Sequence, residues 1–122
     1  MGGILWHVFT VPPDSDYLIG RTNTRAVGTT DPTTRCVYLS SGISGDFRFR
    51  VLGHELSHAA MVSYGLIDGI RRMVLPRHWI EAGEWACNLI ADYGLMIIET
   101  AYSVLGYEAW RLLPEQMERL IS

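Results

Sequence analysis

The sequence lacks several features that would assign it to a common class of protein. Only two of its 122 residues are cysteine. Two are too few for a disulfide framework, and Cys36 and Cys87 match no CxxC metal or redox pattern, so we predict that both are small core residues. Basic side chains never run beyond the adjacent pair Arg71 and Arg72, and ten basic against thirteen acidic residues give a formal net charge of −3. We therefore expect no nucleic-acid partner.

Long apolar runs are also absent. The most apolar region, residues 87–105, is interrupted by Asp92 and Glu99. Its longest uncharged run is well short of the roughly 18 residues that a membrane-spanning helix needs. No basic residue precedes the apolar stretch 4–11, so that stretch does not have the pattern of a secretory signal. The sequence therefore predicts no membrane association and a cytoplasmic location.

The first half of the chain is divided by proline, glycine, asparagine and aspartate into short strand-like segments. These segments cover residues 4–11, a weaker stretch over 17–27, and residues 35–40. Apolar and β-branched residues bounded by turn-forming residues are typical of strands. We therefore predict a small N-terminal β-sheet.

The second half of the chain has a helical period, because apolar residues recur there at spacings of three and four. Ser44 or Asp46 is suited to cap a first helix, which is expected to end before Gly65. After a connector, a longer helix is predicted over 76–105, and short terminal helices over 107–121. The predicted fold class is α+β, in a single domain that spans residues 1–122.

The first predicted helix contains the sequence His54-Glu55-Leu56-Ser57-His58, the HExxH pattern of zinc-dependent hydrolases. Residues four apart lie on the same face of a helix, so both imidazoles can bind one ion. Glu55 then projects beside the metal, where it can serve as the general base. The motif predicts a Zn²⁺ site with His54 and His58 as ligands.

A catalytic zinc site needs a third protein ligand. The extended motif HExxHxxGxxH is absent, because neither Met61 nor Tyr64 can supply the missing positions. Five side chains remain as candidates: Glu81, Glu84, Asp92, His7 and His78.

We prefer Glu84 because of the residue that lies one helical turn after it. Asn88 could accept a hydrogen bond from the second ring nitrogen of a ligand histidine, as zinc-bound histidines require. Glu81 is followed at the same spacing by Trp85, which cannot accept one. Asp92 continues the stripe of Glu84 and Asn88, and we predict it as a further acceptor or an alternative ligand.

Residues 35–92 resemble the ImmA/IrrE family of minimal gluzincin metallopeptidases. That family has a strand, an HExxH helix and a later helix with the pattern E-x-x-A-N-x-F-A. Glu84 and Asn88 match the glutamate and asparagine of this pattern, whereas Cys87 and Ile90 replace its alanine and phenylalanine. The resemblance implies a zincin-like fold with a small sheet, the HExxH helix, a long ligand-bearing helix and short C-terminal helices.

The resemblance also implies an activity. It assigns His54, His58 and Glu84 as zinc ligands and Glu55 as the base of a zinc metallopeptidase. Family members commonly cleave a partner transcriptional repressor, often in phages and mobile elements. They frequently carry an additional domain, and this chain has no counterpart of one. The implied partner is therefore a protein or peptide substrate, with a regulatory or repressor protein as the expected kind.

Two further expectations concern the substrate. By analogy with zincins, the strand before the motif helix is expected to lie along the cleft and to pair with an extended substrate, which assigns Tyr38, Leu39 and Ser40 to substrate binding. An additional donor for the reacting carbonyl oxygen is left open among four residues: Tyr64, Tyr93, His78 and Tyr107.

The sequence thus predicts a zinc-dependent metallopeptidase that hydrolyses a peptide bond in a protein. The alternative is a catalytically silent zinc-binding module that captures a partner protein without cutting it. Glu55 favours the enzyme, because a scaffold has no need of a base beside the metal.

Overall fold

The computed structural model of the protein describes residues 1–20 and 22–106. The chain divides into two compact units, residues 1–92 and residues 93–122. The first unit contains the sheet, two helices and the first half of a third helix. The described part of the second unit consists of the remainder of that helix and Gly106. The single domain over 1–122 stays a prediction.

Within the described ranges, the sheet has three strands: β1 (His7–Val11), β2 (Gly28–Asp31) and β3 (Cys36–Ser40). β3 is central, parallel to β1 on one side and antiparallel to β2 on the other. All five residues of β3 are buried, which agrees with a strand flanked on both edges. The strand predicted over 35–40 is therefore confirmed.

The strand predicted over 17–27 is wrong. A short 3-10 turn (Asp16–Leu18) occupies its beginning, and the Ser15 hydroxyl caps that turn by accepting from the Tyr17 amide. Among the described residues of this stretch, an isolated bridge between Ile19 and Arg25 follows. The second strand lies instead at Gly28–Asp31, where pairing with β3 provides the backbone hydrogen bonds. β1 is also shorter than predicted, since its first residue is His7.

Helix α1 (Gly45–Ser63) carries the HExxH motif. It begins after Ser44, as predicted, and its C-terminus is closed at Gly65, whose φ of 65° is in the left-handed region that glycine favours. The Leu66 amide then donates to the Met61 carbonyl at 2.9 Å, which satisfies one of the last carbonyls of the helix. The predicted end of the motif helix is confirmed.

Helix α2 (Ile67–Met73) lies in the segment that the sequence predicted as a connector, so that prediction is wrong. Asp68 in its first turn and Arg71 and Arg72 in its last turn complement the helix dipole. After a 3-10 turn, helix α3 (Trp79–Leu105) continues without a break through both internal glycines. The short C-terminal helices predicted over 107–121 lie outside the described residues.

The observed class is α+β, as predicted. α1 packs against β2 at Gly28, where an added Cβ would lie 2.6 Å from the Val51 side chain. On another face of α1, Gly53 lies against Ala91 of α3. Both cysteines are buried, as predicted for core residues. Across the ranges that the structure describes, no helix has both the length and the apolar character needed to cross a membrane.

Candidate metal site

α1 and the first half of α3 bring His54, His58 and Glu84 together. The Nε2 atom of His54 lies 3.0 Å from Oε2 of Glu84, and Nε2 of His58 lies 3.2 Å from Oε1 of the same carboxylate. The two Nε2 atoms are 3.1 Å apart. All three side chains are partly exposed. The three ligand groups that the sequence predicted therefore form one cluster at the surface between the two helices.

This donor set fits a transition-metal ion. Two ligands about 2.0–2.1 Å from a tetrahedral ion lie roughly 3.3–3.4 Å apart, a separation that the observed distances approach. Two imidazoles and one carboxylate are a common protein contribution to catalytic zinc sites, which leave a further coordination position open. Within residues 1–20 and 22–106, this is the one group of three histidine, cysteine or acidic side chains close enough to share an ion. The cluster could hold a metal ion.

Asn88 lies where the sequence argument expected it. Its Oδ1 atom is 2.9 Å from Nδ1 of His54. With this oxygen as acceptor, Nδ1 carries the ring proton and Nε2 presents its lone pair towards His58 and Glu84. This is the orientation that a metal-binding histidine needs.

Asp92 contacts neither imidazole in the hydrogen bonds of the structure. Its two carboxylate oxygens accept from Nε and Nη2 of Arg50, at 2.5 and 3.3 Å. This carboxylate raises the pKa of the Arg50 guanidinium above its usual value. Arg50 Nη2 also lies 3.4 Å from Oδ1 of Asn88. Asp92 therefore binds Arg50, in place of the predicted contact with a histidine or the metal.

The other ligand candidates have partners elsewhere. Nδ1 of His78 lies 3.4 Å from the Glu81 carboxylate, and Nε of Arg77 donates to Nε2 of His78. His7 lies on β1 with its ring stacked on Phe9. His7, His78 and Glu81 therefore lie outside the cluster of His54, His58 and Glu84.

The candidate donors for the reacting carbonyl oxygen gain little support. The Tyr64 hydroxyl accepts from the Gly2 amide, and His78 is paired with Glu81. Tyr107 lies outside the described residues, and Tyr93 belongs to the second unit.

Glu55 occupies a different face of α1 from the two histidines. It is 7% exposed, and its Oε2 atom lies 2.5 Å from the Thr30 hydroxyl on β2. The same hydroxyl is 3.0 Å from the Glu55 backbone carbonyl. Thr30 was not predicted from the sequence, because no local pattern connects residues that are 25 positions apart. Glu55 is thus held by the sheet, whereas the histidines face α3.

A cleft of about 1140 Å³ contains the cluster and Glu55, and β2 forms part of its lining. The predicted pairing of β3 with substrate is wrong, because β3 is the central strand and both its edges are bonded within the sheet. Leu39 and Ser40 are buried. Tyr38 does line the cleft, with its ring stacked on Tyr17 at 4.4 Å between centroids. The strand beside the cluster that lies at a sheet edge is β2.

No protein-family model, curated protein or solved structure matches this chain. The functional assignment therefore depends on the residues and their geometry.

Proposed function

We propose that this protein is a zinc-dependent metallopeptidase with a zincin-like fold of the gluzincin type. His54, His58 and Glu84 are the zinc ligands and Glu55 is the general base. The observation that carries the proposal is the convergence of two HExxH imidazoles from α1 with the Glu84 carboxylate from α3. The resemblance to the ImmA/IrrE family supports the same assignment from the sequence.

The residues of the chain divide the chemistry between them. A zinc ion held by His54, His58 and Glu84 would act as a Lewis acid, lowering the pKa of a bound water towards about 7 and polarising a carbonyl group. Glu55 follows the first ligand on α1 and lines the same cleft. It would accept a proton from the attacking water and give it to the leaving amine. The Thr30 hydroxyl holds one oxygen of this carboxylate in place.

An extended protein segment is the substrate class that the cleft favours. β2 is a sheet-edge strand that lines the cleft beside Glu55. An edge strand can bind an extended peptide through main-chain hydrogen bonds. β2 therefore takes the substrate-pairing role that was predicted for β3. The family resemblance adds a regulatory protein, such as a transcriptional repressor, as the proposed substrate.

A catalytically silent zinc-binding module is the second candidate, and one observation favours it. The Glu55 carboxylate is buried and already bonded to Thr30, so it is a less available base than an open carboxylate.

Zinc content and cleavage, measured together for the wild type and Glu55→Gln, separate these two candidates. Each protein is loaded with zinc and incubated with unfolded casein and with a random-peptide library, and new N-termini are identified by mass spectrometry. We expect both proteins to bind zinc and the wild type alone to cut, with cleavage stopped by a zinc chelator. If both bind zinc and neither cuts, the silent module is favoured. If the wild type binds no zinc, both candidates are contradicted.

A further inference from the structure

We propose that Arg50, held by Asp92, orients the Asn88 amide and so determines which ring nitrogen of His54 faces the metal. This inference rests on the proposed zinc site and adds Arg50 to it as a positioning residue.

Two groups, the His54 ring and the Arg50 guanidinium, meet at one atom of Asn88. Oδ1 of Asn88 lies 2.9 Å from Nδ1 of His54 and 3.4 Å from Nη2 of Arg50. A guanidinium group donates hydrogen bonds and never accepts them. The atom that faces Arg50 must therefore be the amide oxygen, because a flipped amide would direct its NH₂ group against the guanidinium. Arg50 thus selects one orientation of Asn88.

The orientation of Asn88 then decides the tautomer of His54. Opposite an amide oxygen, Nδ1 must carry a proton, so in a neutral ring Nε2 keeps its lone pair. Nε2 is the atom that lies 3.0 Å from Glu84 and 3.1 Å from Nε2 of His58. A flipped amide would favour the opposite tautomer, with a proton on Nε2 where the metal binds. Arg50 therefore acts on the ligand through Asn88, without contact with the metal itself.

Asp92 completes the arrangement by fixing Arg50. Its two oxygens accept from two nitrogens of the guanidinium, a geometry in which the planar fork is held in one orientation. Three successive side-chain pairs join α1 to α3. Each pair lies four residues from the next on both helices: Arg50 with Asp92, His54 with Asn88, and His58 with Glu84.

The exposure of the Arg50–Asp92 pair separates a role in positioning Asn88 from a contribution to folding stability. The side chains of Arg50 and Asp92 are 42% and 37% exposed. An ion pair this accessible to water adds little to folding stability. Its loss should therefore leave the metal-free fold unchanged and alter the site.

The test compares full-length wild type with Arg50→Met, and with Arg48→Met as the matched control. Arg48 lies on the same helix and donates to Thr10 at 3.2 Å. Zinc affinity is measured by competition with a chromogenic chelator. We expect Arg50→Met to bind zinc about 10–100-fold more weakly, and Arg48→Met to bind it as the wild type does. Removal of a positive charge would by itself strengthen binding of a cation, so a weaker affinity is the signature of positioning.

A second readout does not require zinc. Nitrogen-15 NMR of the metal-free proteins reports which ring nitrogen of His54 carries a proton. We expect the wild type to protonate Nδ1 and Arg50→Met to show a larger population of the Nε2-protonated form. The unfolding midpoint of the metal-free variant should stay close to that of the wild type.

The outcomes distinguish the two claims. Equal zinc affinity and equal tautomer populations in the wild type and Arg50→Met would overturn the role of Arg50 and leave the zinc site intact. Absence of zinc binding in the wild type would overturn the proposed function, while the tautomer shift would still test Arg50. In an Asn88→Ala background, Arg50→Met should cause no further loss of affinity, since the two residues act in series.

Discussion

Two faces of α1 carry the two halves of the candidate site, and different elements hold them. The face towards α3 presents partly exposed polar groups, of which His54 is held by Asn88. The face towards β2 presents Val51 and Glu55, each 7% exposed and packed at Gly28 and Thr30. His54 and Glu55 are adjacent in the chain, and helical geometry turns them about 100° apart. Metal binding and the proposed base, Glu55, should therefore respond to different substitutions.

The largest expected effect is on the α3-facing side. A ligand that binds only the folded state at 100 times its Kd stabilises that state by about 2.7 kcal/mol. We expect zinc to raise the unfolding free energy of the wild type in this way, and to leave His58→Ala unchanged. His78→Ala, which lies outside the cluster, should respond like the wild type. Urea unfolding with and without zinc makes the measurement, and a normal response of His58→Ala would contradict the ligand assignment.

The next effect concerns the packing of α1 on β2. An alanine at position 28 would place its Cβ 2.6 Å from Cγ1 of Val51, a stiff side chain that cannot move aside. We expect Gly28→Ala to lose about 1–3 kcal/mol of unfolding free energy, with the zinc stoichiometry kept. Val51→Ala should relieve part of this clash in the double variant.

A control glycine on α2 sharpens this result. An added Cβ at Gly69 meets nothing within 4 Å, so Gly69→Ala should stabilise the helix by up to about 1 kcal/mol. If Gly28→Ala and Gly69→Ala change stability equally, close packing at Gly28 is not the cause.

A smaller effect is expected where β2 holds Glu55. Thr30→Val removes the hydroxyl that lies 2.5 Å from the Glu55 carboxylate. Loss of one such hydrogen bond should lower the cleavage rate about tenfold. Thr30→Ser should restore the rate, since it returns the hydroxyl, and zinc content should be equal in all three proteins. Zinc loss in Thr30→Val would show that the two faces are coupled.

The smallest effect lies in the turn between β2 and β3. Hydrogen bonds from the Thr34 side chain and from the Thr33 and Thr34 amides lower the pKa of Asp31. A carboxylate whose folded-state pKa is lowered adds stability above its unfolded pKa of about 3.9, and this is lost as the pH falls through the folded-state value. Asp31→Asn should therefore reduce stability near neutral pH and flatten its loss below about pH 4. Parallel pH profiles for the two proteins would contradict this role.

Helical spacing explains what could be predicted from the sequence. The positions of His54 and His58, and of Glu84 and Asn88, follow from the four-residue repeat of a helix, and Gly65 marks the end of α1. Arg50 could have been found in the same way, since it lies one turn before His54 just as Asp92 lies one turn after Asn88. That prediction also requires knowing that the row of residues on α1 and the row on α3 face each other, which the spacing within each helix does not show.

The features that were missed depend on contacts between distant residues. The segment 17–27 has apolar residues, yet the capped turn at Ser15 and the pairing of Gly28–Asp31 with β3 decide where the strand lies. The central place of β3, and the contact of Thr30 with Glu55, are set by tertiary packing that no local pattern records. α2 is a helix of seven residues, too short for its own periodicity to indicate it.

Zinc content tests the central claim most directly. Wild type, Glu84→Ala and Glu81→Ala are loaded with zinc, dialysed and analysed by elemental mass spectrometry. Glu81 is the matched control, because it is a carboxylate of the same helix that pairs with His78 outside the cluster. We predict about one zinc ion per chain in the wild type and in Glu81→Ala, and a loss of zinc in Glu84→Ala. A wild type without zinc, or a Glu84→Ala variant that retains it as the wild type does, would contradict the account.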